Sequence, residues 1–367
     1  MNNKNFDVFI DFGTSKIRGV AFNKNDTKNN FYFESNNFSN HLDSETEIEK
    51  IILNLEKNTG EYLDSVNLMI DSPKMISVGL SLSKNFDGKK LKKGDIQFLI
   101  QDAKQQVLRN YSNQSIKHII VKNYRINNKN YDFLSTEVHC NVLSLDILFI
   151  CLPKKNIEEL KKLFVKFEIS VDEFFCSSYA KSISYKDNIK SNDNLAFISI
   201  GFNKTSIICY NKNQISFFDS IPVGGNHITK DLSKVLNVDL IIAEKIKLSF
   251  DKIEKFSNKE KYSIKMIQKI IFARTEEILE LCDKSIKLNQ TGHFKMILIG
   301  GGSKILGNEY MDKMVFSQEI DLLDESNKDI CDSALKLTSE KNKQEVVVVP
   351  KKHIKKGFFE KFFHFFR

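Results

Sequence analysis

Apolar and polar positions alternate along the chain in a way that separates strand-like from helix-like stretches. An apolar run from Val8 to Phe12, a polar turn of Gly13, Thr14 and Ser15, and a second apolar run from Ile17 to Phe22 predict a β-hairpin. The same pattern returns from Leu195 to Tyr210, with its turn at Gly201 to Lys204. The chain therefore reads as one design used twice. Apolar spacing predicts helices over Glu45–Lys57, Asp95–Leu108, Asn156–Phe167 and Ile264–Leu288, and alternation predicts a strand over Ser115–Ile126. Mixed strands and helices in two related halves predict an α/β protein with a cleft between two lobes. A third turn, Gly300, Gly301, Gly302 and Ser303, follows the apolar run Met296–Ile299; without Cβ atoms its backbone can approach a ligand closely.

The 367 residues are 41% apolar and 28% charged, which excludes wholesale disorder and leaves room for two or three domains. The six cysteines are scattered, form no C-x-x-C pair and follow no apolar leader, so reduced core cysteines in a cytosol are expected. The apolar run Leu143–Leu152 is broken by Ser144 and Asp146 and falls short of the roughly 18 residues of a spanning helix, so no transmembrane segment is expected. Of the net charge of +8, five units come from the stretch after Pro350, where Lys351, Lys352, Lys355, Lys356, Lys361 and Arg367 face Glu360. The remaining body is close to neutral, which argues against a nucleic-acid-binding face.

That tail has a pattern of its own. At about 100° per residue, Phe358, Phe359, Phe362, Phe363, Phe365 and Phe366 fall within one arc of a helix, with Glu360, Lys361, His364 and Arg367 opposite. A polar linker precedes it. An interfacial membrane helix uses this pattern, with Lys361 and Arg367 drawn to anionic lipid. Docking of the phenylalanines into a groove of the same protein is the alternative.

The paired hairpins suggest phosphate chemistry. Backbone N–H groups of Gly13, Thr14 and Ser15, and of the turn after Gly201, can cradle a polyphosphate between the lobes. Asp11 would hold a hydrated Mg²⁺, and Lys16 would offset phosphate charge. The alternative is a pair of ordinary turns, with Asp11 a solvated loop acid.

The order of hairpin, second hairpin and strand leading into Gly-Gly-Gly-Ser resembles the actin/Hsp70/sugar-kinase superfamily and, within it, the FtsA family of bacterial cell-division actin homologues. Val66-Asn67-Leu68, Lys74-Met75-Ile76-Ser77, His118-Ile119-Ile120 with Tyr124, the stretch Leu160 to Asp172, and Ile221-Pro222-Val223-Gly224-Gly225-Asn226 occur in that family's order. The resemblance covers roughly Phe6 to Met314 and resumes at the terminal helix. It implies an actin-like (ribonuclease H-like) two-lobed fold with a 1C insert subdomain and a C-terminal amphipathic helix. Subdomain 1A would comprise 1–76 with 168–190, the 1C insert (a type shared with PilM) 77–167, and subdomain 2A 191–338 with a short 2B at about 250–275. A linker over 339–356 and a membrane helix over 357–367 would follow.

The same resemblance implies ATP or ADP with Mg²⁺ in the cleft. Gly201 and Asn203 would belong to the second phosphate loop, and Gly224, Gly225 and Asn226 would line the terminal-phosphate side. Glu244 and Lys247 would reach the ribose or base, and Gly300, Gly301, Gly302 and Ser303 would pack on the adenosine. From spacing alone Glu244 and Lys247 could equally form a solvated ion pair. One departure stands out: where the family reads D-I-G-G-G-T, this chain has Ser199-Ile200-Gly201-Phe202-Asn203-Lys204. ATPase activity is therefore expected to be weak or absent, and any nucleotide would act as a wedge that stabilises the closed form by binding it.

The family's partners are FtsZ, whose acidic C-terminal tail it holds on the 2B lobe, further copies of itself in a polymer, other divisome proteins, and the cytoplasmic face of the inner membrane. Here that lobe is lysine-rich, with Lys252, Lys255, Lys259, Lys261, Lys265 and Lys269, and Arg274 occupies the position of a family arginine implicated in docking. The rival expectations are a PilM-like pilus-assembly protein, a small-molecule kinase of the same superfamily, and a scaffold that binds no nucleotide.

Overall fold

The first predicted hairpin forms from β1 (Phe6–Phe12) and β2 (Ile17–Asn23), paired antiparallel with Asp11 directly opposite Arg18. It belongs to a computed structural model that describes residues 5–26, 28–35, 41–131, 138–189, 191, 193–249, 263–305 and 319–339. β3 (Phe31–Glu34) extends the hairpin on one side, and β4 (Ser65–Ile70) and β9 (Ser170–Cys176) run parallel on the other, giving the sheet order β3-β2-β1-β4-β9. The buried middle of β1 and β2 needs cover on both faces, and α1 (His41–Thr59) supplies one side with Ile48, Ile51, Ile52 and Leu55.

The second predicted hairpin forms from β10 (Leu195–Ile200) and β11 (Thr205–Asn211). With β12 (Gln214–Ile221), β13 (Lys295–Ile299) and β14 (Ile320–Leu322) it builds a sheet of order β12-β11-β10-β13-β14. The two orders are the same, with an antiparallel hairpin followed by a parallel neighbour in each. The α/β fold expected from the repeated pattern is thus formed.

A third sheet enters the chain between β4 and β9. Its strands β5 (Ile76–Lys90), β6 (Gln114–Ile126), β7 (Lys129–Tyr131) and β8 (His139–Pro153) are all antiparallel, in the order β5-β8-β6-β7. The apolar run that was too short to span a membrane is the middle of β8, a central strand buried along Leu145 and Ile147–Leu152. Helix α2 (Lys93–Asn110) buries Leu99, Ile100, Ala103 and Val107 against this sheet. The sheet also touches the second lobe: Ser77 Oγ donates to the Phe218 carbonyl at 2.6 Å, and Lys122 Nζ to the Ser216 carbonyl at 3.4 Å.

The predicted helices appear as α1, α2, α3 (Lys154–Val165) and α7 (Ile264–Asn289); α7 lays Ile271, Ile278, Cys282 and Ile286 along one buried stripe. Four further helices are described. α5 (Gly225–Leu236) and α6 (Leu240–Leu248) pack on α7 through Ile228, Leu232 and Ala243. α4 (Ser177–Asn188) lies between the lobes and is buried along every residue from Ser177 to Lys186. The last described helix, α8 (Asn327–Ser339), falls but for Ser339 within 191–338, the stretch expected in the second lobe; it packs instead on the first, placing Ile330, Cys331, Ala334 and Leu337 in the core of β1, β2 and α4. That core continues through α4 to Phe197, Ile208 and Phe218 of the second sheet, so one apolar cluster joins both lobes.

All six cysteines are buried and free. Among the described residues, no helix is long and apolar enough to cross a membrane. The expected linker beyond Ser339, the expected terminal helix with Phe358 to Arg367, and Lys252, Lys255, Lys259 and Lys261 lie outside the described residues.

Candidate functional site

The ends of β1, β4, β10 and β13 converge at the N-terminus of α4, where sequence reading placed the phosphates. Asp11 ends β1 almost fully buried. Its Oδ2 lies 3.1 Å from Arg18 Nη1, its cross-strand neighbour, and its Oδ1 accepts a 2.7 Å hydrogen bond from Ser177. Both carboxylate oxygens are engaged. Lys16, expected to meet phosphate, turns to β3 and pairs with Glu34 at 2.8 Å. Burial raises the Glu34 pKa, but the Lys16 hydrogen bond and charge outweigh it and hold the carboxyl below its ordinary value.

The second loop has closed on its neighbour. Gly201 N–H bonds the Lys204 carbonyl at 2.8 Å, while the Gly201 and Phe202 carbonyls accept from the amides of Gly225 at 2.9 Å and Asn226 at 2.7 Å. The first amides of α5, which point outward as an anion site in a free helix N-terminus, are therefore satisfied within the protein. Asn226 Nδ2 also donates to Asn203 Oδ1 at 3.1 Å. A Cβ on Gly224 would lie 2.5 Å from the Gly201 carbonyl oxygen, which fixes why glycine stands there.

Lys204 does not extend toward solvent. Its ammonium is buried, hydrogen-bonds Ser206 Oγ, and lies 3.4 Å from Asp71 at the end of β4. Asp71 accepts in addition from Ser178 Oγ at 3.2 Å. A third pair, Lys181 on α4 with Glu325 just before α8, lies at 3.2 Å with the Glu325 side chain 2% exposed. Glu325 further accepts from Tyr185 Oη at 2.9 Å and from the Gly300 amide. Burial pulls the Lys181 ammonium down, but Glu325, then Asp11 and Asp71, overcome this and raise it above the ordinary lysine value. The three pairs thus act on one another as a single cluster.

The expected ribose and adenosine residues are likewise turned inward. Lys247 Nζ, 3% exposed, donates to Glu244 at 2.6 Å, Thr229 at 2.9 Å and the Gly225 carbonyl at 3.1 Å, and sits 5.3 Å from the Phe202 ring. Burial lowers its pKa against the opposing effect of Glu244. Gly300, at φ +93°, packs against the Ile200 backbone; Gly302 N–H bonds the Ile200 carbonyl at 2.9 Å, and Ser303 Oγ the Gly300 carbonyl at 2.7 Å. Gly301 has open space beside it. Gly13 bends tightly over the Lys16 carbonyl, and Thr14 is exposed beside half-buried Ser15.

The loops named from sequence meet in one place, joined there by Arg18, Asp71, Lys181, Ser178 and Glu325, which were not expected. Asp71 had a signal: like Asp11, it directly follows an apolar strand. Arg274, expected at a partner site, grips Asp231 of α5 through Nε at 2.6 Å and Nη2 at 3.0 Å, and Glu277 through Nη1 at 2.7 Å. Lys265 and Lys269 stand exposed on the same helix.

ATP with Mg²⁺ does not fit these residues as they are placed. Every charged side chain named for it (Asp11, Lys16, Glu244, Lys247) already has an internal partner, and the α5 amides are occupied. Among the described residues, no cluster of three or more His, Cys, Asp or Glu could hold a metal ion.

Residues 196–321 match the family model described as Cell division protein FtsA. The Cell division protein FtsA of Helicobacter pylori (strain ATCC 700392 / 26695) is 30% identical over 108 residues, 29% of this chain and 22% of that protein. That of Agrobacterium fabrum (strain C58 / ATCC 33970) is 20% identical over 273 residues, 69% of this chain and 61% of that protein. The chain spans less than two thirds of the length of these relatives. In three dimensions it is similar to a chain of the PilM-PilN type IV pilus biogenesis complex, with a TM-score of 0.63 and 11% identity over 88% of this chain and 89% of that one. The resemblance to FtsA is therefore one of sequence, and the fold is actin-like.

Proposed function

We propose that this chain is an FtsA-type cell-division protein, an actin-like adaptor that polymerises and ties FtsZ filaments to the cytoplasmic face of the inner membrane at the division site. The observation that carries the reading is the match of residues 196–321 to the FtsA model, on a fold whose third sheet sits between β4 and β9. The Phe-rich tail serves as anchor, its phenylalanines in the lipid interface and Lys361 and Arg367 at anionic headgroups. One such helix binds reversibly, and polymerisation turns many weak anchors into firm attachment. The acidic FtsZ tail is read by the basic residues of α7, Lys265 and Lys269 exposed one turn apart near its start and Arg274 further along. Later division proteins join the same polymer. No step of this mechanism passes through a nucleotide.

Co-sedimentation with vesicles rich in phosphatidylglycerol tests the reading. The full chain should pellet and carry an FtsZ tail peptide with it, and deletion of residues 357–367 should leave both in solution. The PilM likeness favours a second reading, a pilus-assembly protein reaching the membrane through a protein partner. That reading requires the deleted chain to remain membrane-associated in cells.

A further inference from the structure

The charged cluster at the cleft floor is more than a set of filled donors, because its members come from both lobes. Lys204 belongs to the β10–β11 turn of the second lobe and Asp71 to the end of β4 in the first. Glu325 pairs with Lys181 of α4 while accepting the Gly300 amide from the second lobe's glycine turn. Two neutral bonds follow the same line: Ser178 Oγ to Ser206 Oγ at 3.1 Å, and Ser182 Oγ with Tyr210 Oη at 3.0 Å. Three acids meet three bases, so the cluster carries no net charge. A polyphosphate entering here would confront Asp11, Asp71 and Glu325, and a metal ion could reach Asp11 or Asp71 only by displacing Arg18 or Lys204. Each displacement strands a buried charge.

We infer that the closed cleft of this protein is held by its own contacts between the lobes, the Asp71–Lys204 ion pair and the Glu325 carboxylate on the Gly300 amide, with Arg18 and Lys181 balancing Asp11 and Glu325 beside them, and that closure needs no metal nucleotide. The Lys204 ammonium supplies a positive charge where the two lobes meet. The lock stands on these contacts alone, so loss of vesicle or FtsZ binding leaves it intact, and its failure leaves the adaptor reading in place.

Thermal melting of the full chain with Mg-ATP raised to millimolar concentration tests it. The midpoint should move by less than about 1 °C, and a larger, saturable rise overturns the inference. Lys204→Met and Asp71→Asn should each lower the midpoint by about 5 °C or more, and the double variant should lose no more than the worse single one. Additive losses would show two independent residues and end the argument for a lock. Hydrogen exchange on the unaltered protein covers variants that do not fold. Amides of α4 and β11 should be equally protected with and without Mg-ATP, and a nucleotide-dependent gain in protection overturns the inference.

Discussion

The Tyr32 hydroxyl on β3 donates a 2.7 Å hydrogen bond to Oδ1 of Asp332 on α8, fastening the last described helix to the edge of the first sheet. Burial pushes the Asp332 carboxyl above its usual value by more than the Tyr32 bond pulls it down. A carboxyl raised in the folded state contributes fully below its unfolded pKa, about 4, and loses that contribution as pH rises through its folded value. Asp332→Asn is therefore expected to exceed the wild type in stability at neutral pH, with the advantage fading on acidification toward about pH 4. Urea melts across a pH series measure this. Tyr32→Phe should cost about 1 kcal/mol at neutral pH.

Lys117 on β6 shows the opposite sign. Its ammonium lies 5.2 Å from the Phe174 ring centroid and that of Lys161 lies 5.9 Å from the same ring. Burial, then Lys161, lower the Lys117 pKa to about 8 against the opposing charge of Glu173. Between about pH 8 and 10 the unfolded chain binds the extra proton, so stability rises with pH in that window. Lys117→Met should be more stable than the wild type at pH 7 and lose the advantage through the window. Acylation at pH 8 should mark Lys117 ahead of the exposed lysines.

Two glycines separate close approach from open space. Gly224→Ala should cost about 2 kcal/mol or more, because its Cβ meets backbone at 2.5 Å, 2.8 Å and 2.9 Å from three atoms of the second loop. Gly301→Ala has nothing within 4 Å and should stay within about 0.5 kcal/mol of the wild type. Denaturant midpoints of the two variants give the comparison directly.

Arg274 bridges α7 to α5, and both it and Asp231 are about a quarter exposed. Solvent screening limits the pair, so Arg274→Ala should cost about 1 kcal/mol. Under the adaptor reading the same variant abolishes FtsZ-tail binding, whereas Asp231→Asn, which removes the competing charge, strengthens it. Fluorescence anisotropy with a labelled peptide reads both. Equal weakening by the two variants would assign Arg274 to holding α7 in place.

Hairpins, glycine turns and the stripe of α7 were legible because each is encoded within a few residues: alternation, a turn, an apolar period. β1 with β2, β10 with β11, and the strand into Gly300 formed where the pattern placed them. α4 was not legible. Its Ser177-Ser178-Tyr179-Ala180-Lys181-Ser182 start has no apolar period, since its polar groups are met on several sides by Asp11, Asp71, Glu325 and Tyr210. A buried helix of this kind is stabilised by partners its own sequence does not mention. The side of the molecule on which α8 packs was hidden for the same reason.

The amino-acid order alone settled that two like hairpins and a glycine turn would face one cleft, because strand pairing across a short turn and freedom from a Cβ are local properties. Whether that cleft stays open to a ligand was decided only in three dimensions. Asp71, Lys181, Lys204 and Glu325 come from separate elements, and a buried charge takes its state from whichever opposite charge the fold brings within about 4 Å.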